Sequence, residues 1–235
     1  MPRAEGVLFC GGGTGGHVLP GLAVASSLRD AGERHLRWIG DPDRLEAKLV
    51  PKAGIDLLPL GLRRPRPQDP RWILHALRTV SACLRELLRR PPRVVVALGG
   101  YAALVPGILA PILRRPLVVM EQNAHAGRTN RLLARGAVAV VTQFPEAAAT
   151  LPAHRVHLLG NPVRAIAAQI RGTAPRLRVL VMGGSLAARS VNDLALATAP
   201  TLAGRGDVHV IHLAGADDAE RCRQAWQSAG VRPVE

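Results

Sequence analysis

Short apolar runs alternate along the chain with stretches whose apolar positions recur at helical spacing. Gly6–Cys10 (GVLFC) reads as a buried strand and Gly16–Ala31 as the helix that follows it. Leu36–Ile39, Ile55–Leu60, Arg93–Leu98, Pro116–Met120 and Ala137–Thr142 read as further strands. Helices are predicted over Asp43–Ala53, Pro70–Arg90, Ala102–Leu113 and Gly127–Arg135. Asp69 suits the N-cap of the long helix and Pro70 its first position. Continuous apolar strands separated by helices predict an α/β fold, with a parallel sheet joined by right-handed crossovers.

After Pro162 the pattern restarts, with strands at Leu177–Met182 and Val208–Leu213 and helices at Ala187–Ala203 and Asp217–Ala229. Shifting Val7–Ala25 by 172 residues lays it on Val179–Ala197 without a gap. Seven of the nineteen positions then match: Val7/Val179, Leu8/Leu180, Gly11/Gly183, Gly12/Gly184, Leu22/Leu194, Ala23/Ala195 and Ala25/Ala197. Two strand–glycine loop–helix units, one opening each half, predict two Rossmann-like domains facing each other, over residues 1–160 and 161–235. From Arg176 only 60 residues remain, whereas a doubly wound domain takes ~100 or more. Val231–Glu235 stands where a third strand would begin, so the second domain is read as incomplete and the chain as truncated.

Of the 235 residues 48% are hydrophobic, which is ample for a core and excludes a disordered chain. The three cysteines, Cys10, Cys83 and Cys222, are far apart and odd in number. They form neither a disulfide scaffold nor a zinc site, and they fit a reducing cytosol. No signal-peptide pattern is read at the N-terminus. The longest apolar run, Ala102–Leu113, falls short of the ~18–20 residues of a membrane span.

The charge is +14, and of 31 cations only Lys48 and Lys52 are lysines. An Ala/Arg/Pro/Gly-rich composition accounts for that preference but not for its distribution. Nine arginines lie between Gly61 and Arg93 (Arg63, Arg64, Arg66, Arg71, Arg78, Arg85, Arg89, Arg90 and Arg93), opposed by Asp69 and Glu86. Such a cluster attracts nucleic acid or anionic lipid; with 3% aromatic residues, recognition of single strands by base stacking is not expected. In the same helix Trp72, Ile73, Leu77, Val80, Leu84 and Leu88 recur at near 3–4 spacing. They read as a core-facing stripe, or else some of them, Trp72 and Ile73 first, emerge among the arginines to enter a membrane interface.

The candidate chemistry sits in the loops that end the strands. Gly11–His17 (GGGTGGH) follows a strand and opens a helix, so its backbone can approach a phosphate and the helix N-terminus presents unpaired N–H groups. Gly11, Gly13 and Gly16 also satisfy G-x-G-x-x-G with Asp41 after the second strand, which allows an NAD(P)-binding reading. No Lys-Ser/Thr follows, so it is not a Walker loop. His17, on the first helical turn, is either a general base, kept neutral by the helix end, or a capping residue of the loop. Gly183–Ser185 (GGS) opens a second helix, and Arg164 in Gly160–Arg164 (GNPVR) has the fork geometry to pair with a diphosphate. Met120–Asn123 (MEQN) and Gly99–Tyr101 (GGY) end strands at the carboxyl edge, where ligands of parallel sheets bind. Asp41-Pro42-Asp43, the only D-x-D, reads as a turn and helix cap rather than a metal clamp.

Taken in order and spacing, Gly12–Pro20 (GGTGGHVLP), Gly99–Tyr101, Glu121–Arg131 (EQNAHAGRTNR), Gly160–Arg164 and Gly183–Ser185 resemble the MurG family of bacterial UDP-N-acetylglucosamine transferases, in glycosyltransferase family 28. The resemblance runs from about Val7 to the end of the chain. It implies a GT-B fold and an inverting transferase of peptidoglycan synthesis, peripheral on the cytoplasmic face of the plasma membrane. UDP-N-acetylglucosamine would be its donor and lipid I its acceptor, with no cofactor or metal. It implies His17 as general base with Glu121 as competitor; Thr14, Gly15, Gly16, Asn123, Arg164 and Ser185 as donor-binding positions; and Gly13, Tyr101, Glu121 and Asn130 on the acceptor side. The basic helix near Trp72 would be the membrane-facing patch. Three segments depart from the family pattern: Met120 replaces the histidine of HEQN, Leu186 and Ala187 replace the polar residue and glycine of GGSQGA, and Ala103 stands where a serine or threonine is frequent. The rival readings are a GT-B transferase with another lipid or glycoside acceptor, an NAD(P)-binding oxidoreductase, and a basic fragment that only binds anionic membrane.

Overall fold

The computed structural model describes residues 4–60, 71–163, 177–184, 187–231 and 233–234. The chain divides into two units, Met1–Ala165 and Ile166–Glu235, five residues beyond the expected boundary.

Seven strands form the sheet of the first unit: β1 (Val7–Gly11), β2 (Leu36–Ile39), β3 (Asp56–Leu58), β4 (Val94–Gly99), β5 (Leu117–Glu121), β6 (Ala139–Thr142) and β7 (Val156–Leu158). All pair in parallel, in the order β3-β2-β1-β4-β5-β6-β7. The helices are α1 (Gly15–Asp30), α2 (Leu45–Lys52), α3 (Arg71–Arg89), α4 (Leu104–Ile112), α5 (Arg128–Leu133) and α6 (Pro145–Ala148). Alternation along β1 explains how both faces are covered. Leu8 and Cys10 join one apolar cluster with Leu87 of α3, Val105 of α4 and Leu133 of α5, while Val7 and Phe9 join another with Val18 of α1 and Val50 of α2. The strand order reverses between β1 and β4, which makes the carboxyl ends of those two strands the place where a ligand binds in such a sheet.

Helix α3 corrects the expected core stripe. Its buried positions are Thr79, Cys83 and Leu87. Ile73, Leu77, Val80 and Leu88, one residue round the helix, are exposed, and Trp72 and Leu84 are half-buried. Asp69 and Pro70 lie outside the described residues. Helix α2 starts after Arg44, so Asp43 is not its cap, although Asp41 does make the turn by accepting the Asp43 N–H at 2.9 Å. β7 and α6 were not legible as elements, being three and four residues long.

The second unit contains β8 (Leu177–Met182), α7 (Arg189–Leu202), β9 (Val208–Leu213), α8 (Ala219–Ser228) and β10 (Pro233–Val234), with parallel order β10-β9-β8. Its core gathers Ala195, Ala199, Val208, Val210, Trp226 and Val231. The third strand begins where the sequence placed it and pairs with β9 through Pro233 and Val234. All three cysteines are unpaired and buried, and burial pushes the Cys83 thiol up to about 12, so it is inert as a nucleophile.

Candidate active site

The switch point is built from glycines that lean on each other. Gly11 ends β1 and pairs with Gly99 at the end of β4, after a bulge at Cys10/Gly11. The Gly12 N–H donates to the Gly99 carbonyl at 3.4 Å, and a Cβ on Gly100 would stand 2.9 Å from the Gly12 carbonyl oxygen. From the other side the Trp38 indole N–H donates to the Gly11 carbonyl at 2.9 Å, with its ring stacked on Phe9. These contacts hold the loop that leads into α1.

His17 is the third residue of α1, half-buried, with Nδ1 3.1 Å from the hydroxyl oxygen of Thr14 at the N-cap. That hydroxyl makes no backbone cap, so it serves the ring. A Cβ on Gly99 would lie 3.1 Å from His17 Nε2 and 3.3 Å from Asn130 Nδ2, so glycine is what leaves room for the imidazole. Burial lowers the His17 pKa from 6.5, against the opposing pull of Glu121, a hydrogen bond to the Gly12 backbone and Glu46. The ring is therefore neutral at pH 7 and able to take a proton.

Glu121 is 2% exposed and saturated with donors. One oxygen accepts the Asn123 backbone and side-chain N–H groups and the other accepts Gly127 N–H and Asn130 Nδ2, all at 2.9 Å. Asn130 also donates to the Met120 carbonyl at 3.0 Å and is buried. Glu121, Asn123 and Asn130 thus form one network folding the turn after β5, with Asn123 and Tyr101 at the surface and the other two beneath it. The structure brings Gly13–His17, Tyr101 and this network to the carboxyl ends of β1, β4 and β5. Arg164 and Ser185 lie outside the described residues.

Glu46 escaped the sequence reading, and Gln122 was read only as part of the Met120–Asn123 segment. Glu46 of α2 is fully buried and accepts the Gly13 N–H at 2.8 Å and the Asp41 N–H at 3.0 Å. An acid in the first turn of a helix ordinarily just complements the dipole, and nothing local announces this reach. Gln122 is 8% exposed, and neither of its side-chain amide atoms has a partner among the described residues. In the second unit, a hollow of about 480 Å³ lined by Ala187, Arg189, Gly215, Asp217 and Asp218 lies at the carboxyl ends of β8 and β9.

Residues 7–142 match the glycosyltransferase family 28 N-terminal domain, and residues 178–235 match the family 28 C-terminal domain. The chain belongs to glycosyltransferase family 28. A UDP-N-acetylglucosamine–N-acetylmuramyl-(pentapeptide) pyrophosphoryl-undecaprenol N-acetylglucosamine transferase of Bordetella petrii is 42% identical over 97% of this chain and 66% of its own length. The Vibrio cholerae protein of the same name is 38% identical over 100% of this chain and 67% of its own. Among solved structures, Acinetobacter baumannii MurG superposes with a TM-score of 0.73 at 27% identity, over 98% of this chain and 64% of that one. The chain thus spans about two thirds of the length of these relatives. The three departures from the family 28 pattern have local explanations or consequences. Met120 is 6% exposed in the apolar cluster of Val18, Trp38 and Leu98; Ala103 is fully buried in the turn before α4; and Ala187 is held at φ 45°.

Proposed function

We propose that this chain carries the acceptor side and part of the donor side of an inverting N-acetylglucosamine transferase of peptidoglycan synthesis. The donor would be UDP-N-acetylglucosamine and the acceptor the lipid-linked muramyl-peptide, lipid I. The relatives' names support the substrates. The observation that carries the mechanism is His17, a neutral imidazole on the first turn of α1 at the reversal of the sheet. The acceptor C4 hydroxyl attacks C1 of N-acetylglucosamine and its proton passes to the His17 ring. The bond from C1 to the UDP oxygen breaks on the opposite face, so the anomeric centre inverts. Thr14 and the Gly15 and Gly16 N–H groups at the start of α1 face the developing diphosphate charge, the His17 and Val18 N–H groups being taken by the Thr14 carbonyl at 3.2 and 3.1 Å. We assign Arg164 and Ser185 to binding of the donor, UDP-N-acetylglucosamine. The four donors on Glu121 favour a scaffolding role over that of base. The matches to both glycosyltransferase family 28 domains argue against the NAD(P) reading.

We place this reaction at an anionic membrane surface on the cytoplasmic side. Helix α4 packs against α3 and α5, and Ile73 and Leu77 of α3, Ile112 of α4 and Leu132 of α5 are exposed at 61%, 60%, 68% and 45%. Arg78, Arg85, Arg128, Arg131 and Arg135 are exposed on the same helices or at their ends, and Arg128, Arg131 and Arg135 line a hollow of about 420 Å³. The one acid on these three helices, Glu86, is paired with Arg37 of β2. Apolar tips among exposed arginines suit headgroups and acyl chains. Among the described residues no helix is long and apolar enough to cross a membrane.

The test is transfer of labelled N-acetylglucosamine to lipid I, using the chain and the chain completed with the remaining third of the Bordetella petrii relative. His17→Ala is expected to cut the rate roughly 10²–10⁴-fold. Full activity in His17→Ala removes it as base, and transfer to other lipid acceptors but not to lipid I overturns the substrate.

A further inference from the structure

A fully buried glutamate without a cation needs an explanation, because such residues are almost never fully buried unpaired. Glu46 lies on the first turn of α2, and its two oxygens bridge the loops after β1 and β2 by accepting Gly13 N–H and Asp41 N–H at 2.8 and 3.0 Å. Both loops make room for it. A Cβ on Gly12 would stand 2.2 Å from Glu46 Cδ, and one on Gly40 2.6 Å from Cγ. The second glycine of the loop is thus required by a carboxylate of the protein itself. The Gly13 N–H, which a phosphate cradle would present to substrate, is already committed. What remains for an anion is the first turn of α1, beginning at Gly15.

We propose that Glu46 is a positioning residue for the transfer reaction: it fills the Gly12–Gly13 half of the loop as an internal anion and so fixes the backbone from which Thr14 and His17 project. The proposal rests on the reading of His17 as base. The link is short. Gly13 is adjacent to Thr14, whose hydroxyl meets His17 Nδ1, and the Gly12 backbone hydrogen-bonds the His17 ring. The charged groups acting on that ring are Glu121 from β5 and Glu46 from α2, and both raise its pKa against the larger effect of burial.

Glu46→Gln keeps the shape, removes the charge and sets an amide donor against one of the two backbone N–H groups. In the lipid I assay it should lower kcat/KM by about tenfold or more, since small misplacements of a reacting group are costly. The acid limb of the pH–rate profile should move to lower pH. NMR titration of the His17 imidazole in the chain should show the same downward movement, without any need for turnover. Glu46→Asp keeps the charge but shortens the reach, so it should lose rate while its acid limb stays near that of the parent. A merely structural residue would lower the melting temperature and leave the limb and the titration in place, and that result overturns the proposal. Active parent and Glu46→Gln proteins alongside an inert His17→Ala also overturn it, whereas a fully active His17→Ala overturns the base assignment instead. Should Glu46→Gln fail to fold, the parent chain is titrated with inorganic pyrophosphate. The Gly13 amide is expected to stay protected from exchange while the Gly15 and Gly16 amides shift; exposure of the Gly13 amide overturns the proposal.

Discussion

The hydroxyl oxygen of Thr14 lies 3.1 Å from Nδ1 of His17, joining the N-cap of α1 to the ring three residues on. A threonine at this position ordinarily caps a backbone N–H; here it orients an imidazole. Thr14→Val should therefore lower kcat/KM for transfer on the order of tenfold, with Thr14→Ser close to the parent. In a His17→Ala background the same change should add almost nothing, because the two side chains act as one unit. Steady-state rates of the four proteins check this, and additive losses would separate Thr14 from the ring.

Gly99 has φ +104°, and a Cβ there would meet His17 Nε2 at 3.1 Å. Gly99→Ala pays twice, in backbone strain and in crowding of the ring, for about 1–3 kcal/mol in all. Thermal unfolding should show the loss of stability. Activity should fall further than Thr14→Val, since the ring itself is displaced. A protein with unchanged melting and rate would show that the imidazole does not rest against Gly99.

Much of this arrangement could be read from the sequence because it follows from periodicity. β8 and β9 were predicted to the residue, and β2 likewise, since each is a short, mostly apolar run with polar or glycine-containing segments on both sides. The repeat that relates Gly11 and Gly12 to Gly183 and Gly184 recurs in the fold as strand, glycine loop and helix, although α7 starts at Arg189 rather than at the position matching the start of α1. Helix α3 misled because it carries two adjacent apolar rows. Spacing alone gives both the same period, and only packing selects Thr79, Cys83 and Leu87 over Ile73, Leu77 and Leu88. Glu46 was invisible for a different reason: its partners Gly13 and Asp41 are backbone groups, which carry no side-chain signature.

Ala187 tests a departure that the sequence did show. At φ 45° it occupies the left-handed region, and a Cβ on Gly215 would stand 2.6 Å from its own Cβ. Left-handed backbone costs a non-glycine residue about 1–2 kcal/mol, and the extra entropy of unfolded glycine offsets about 0.5–1. Ala187→Gly should thus stabilise the second unit by about 0.5–1 kcal/mol. Protection of its amides from hydrogen exchange should rise; a loss of protection would mean that residue 187 is not strained.

The second unit should also be acid-sensitive. The Trp226 indole N–H donates to His212 Nδ1 at 3.0 Å, which requires that nitrogen to be unprotonated, and Nε2 faces Asn192 Oδ1 at 3.0 Å. Burial lowers the His212 pKa from 6.5, with Asp218 opposing the shift and Arg221 adding to it. Below the ordinary value the unfolded chain binds more protons than the folded one. The stabilisation is therefore complete above 6.5 and is lost as pH falls through the lower folded value. Melting temperature and Trp226 fluorescence should fall together on acidification from 7.5 to 5.5. His212→Gln should flatten that response, and an equal response in both proteins would assign it to other groups.

The exposed stripe of α3 leads to the last prediction. If Ile73 and Leu77 enter a bilayer interface while Arg78, Arg85 and the arginines of α5 meet headgroups, binding needs both chemistries. The chain should sediment with vesicles containing phosphatidylglycerol and stay in solution with phosphatidylcholine alone. Raising the salt to about 1 M, where the screening length is about 3 Å, should release most of it. Ile73→Asp with Leu77→Asp should weaken binding even at low salt, because the apolar insertion is lost while every arginine remains. Both positions are already open to solvent, so the fold should keep its melting temperature. Binding unaffected by the pair of aspartates would leave only a charged surface, and binding indifferent to lipid charge would leave only an apolar one. Either result would overturn the requirement for both chemistries, whereas no binding to either vesicle would remove the membrane assignment and leave the chemistry at His17 standing on its own.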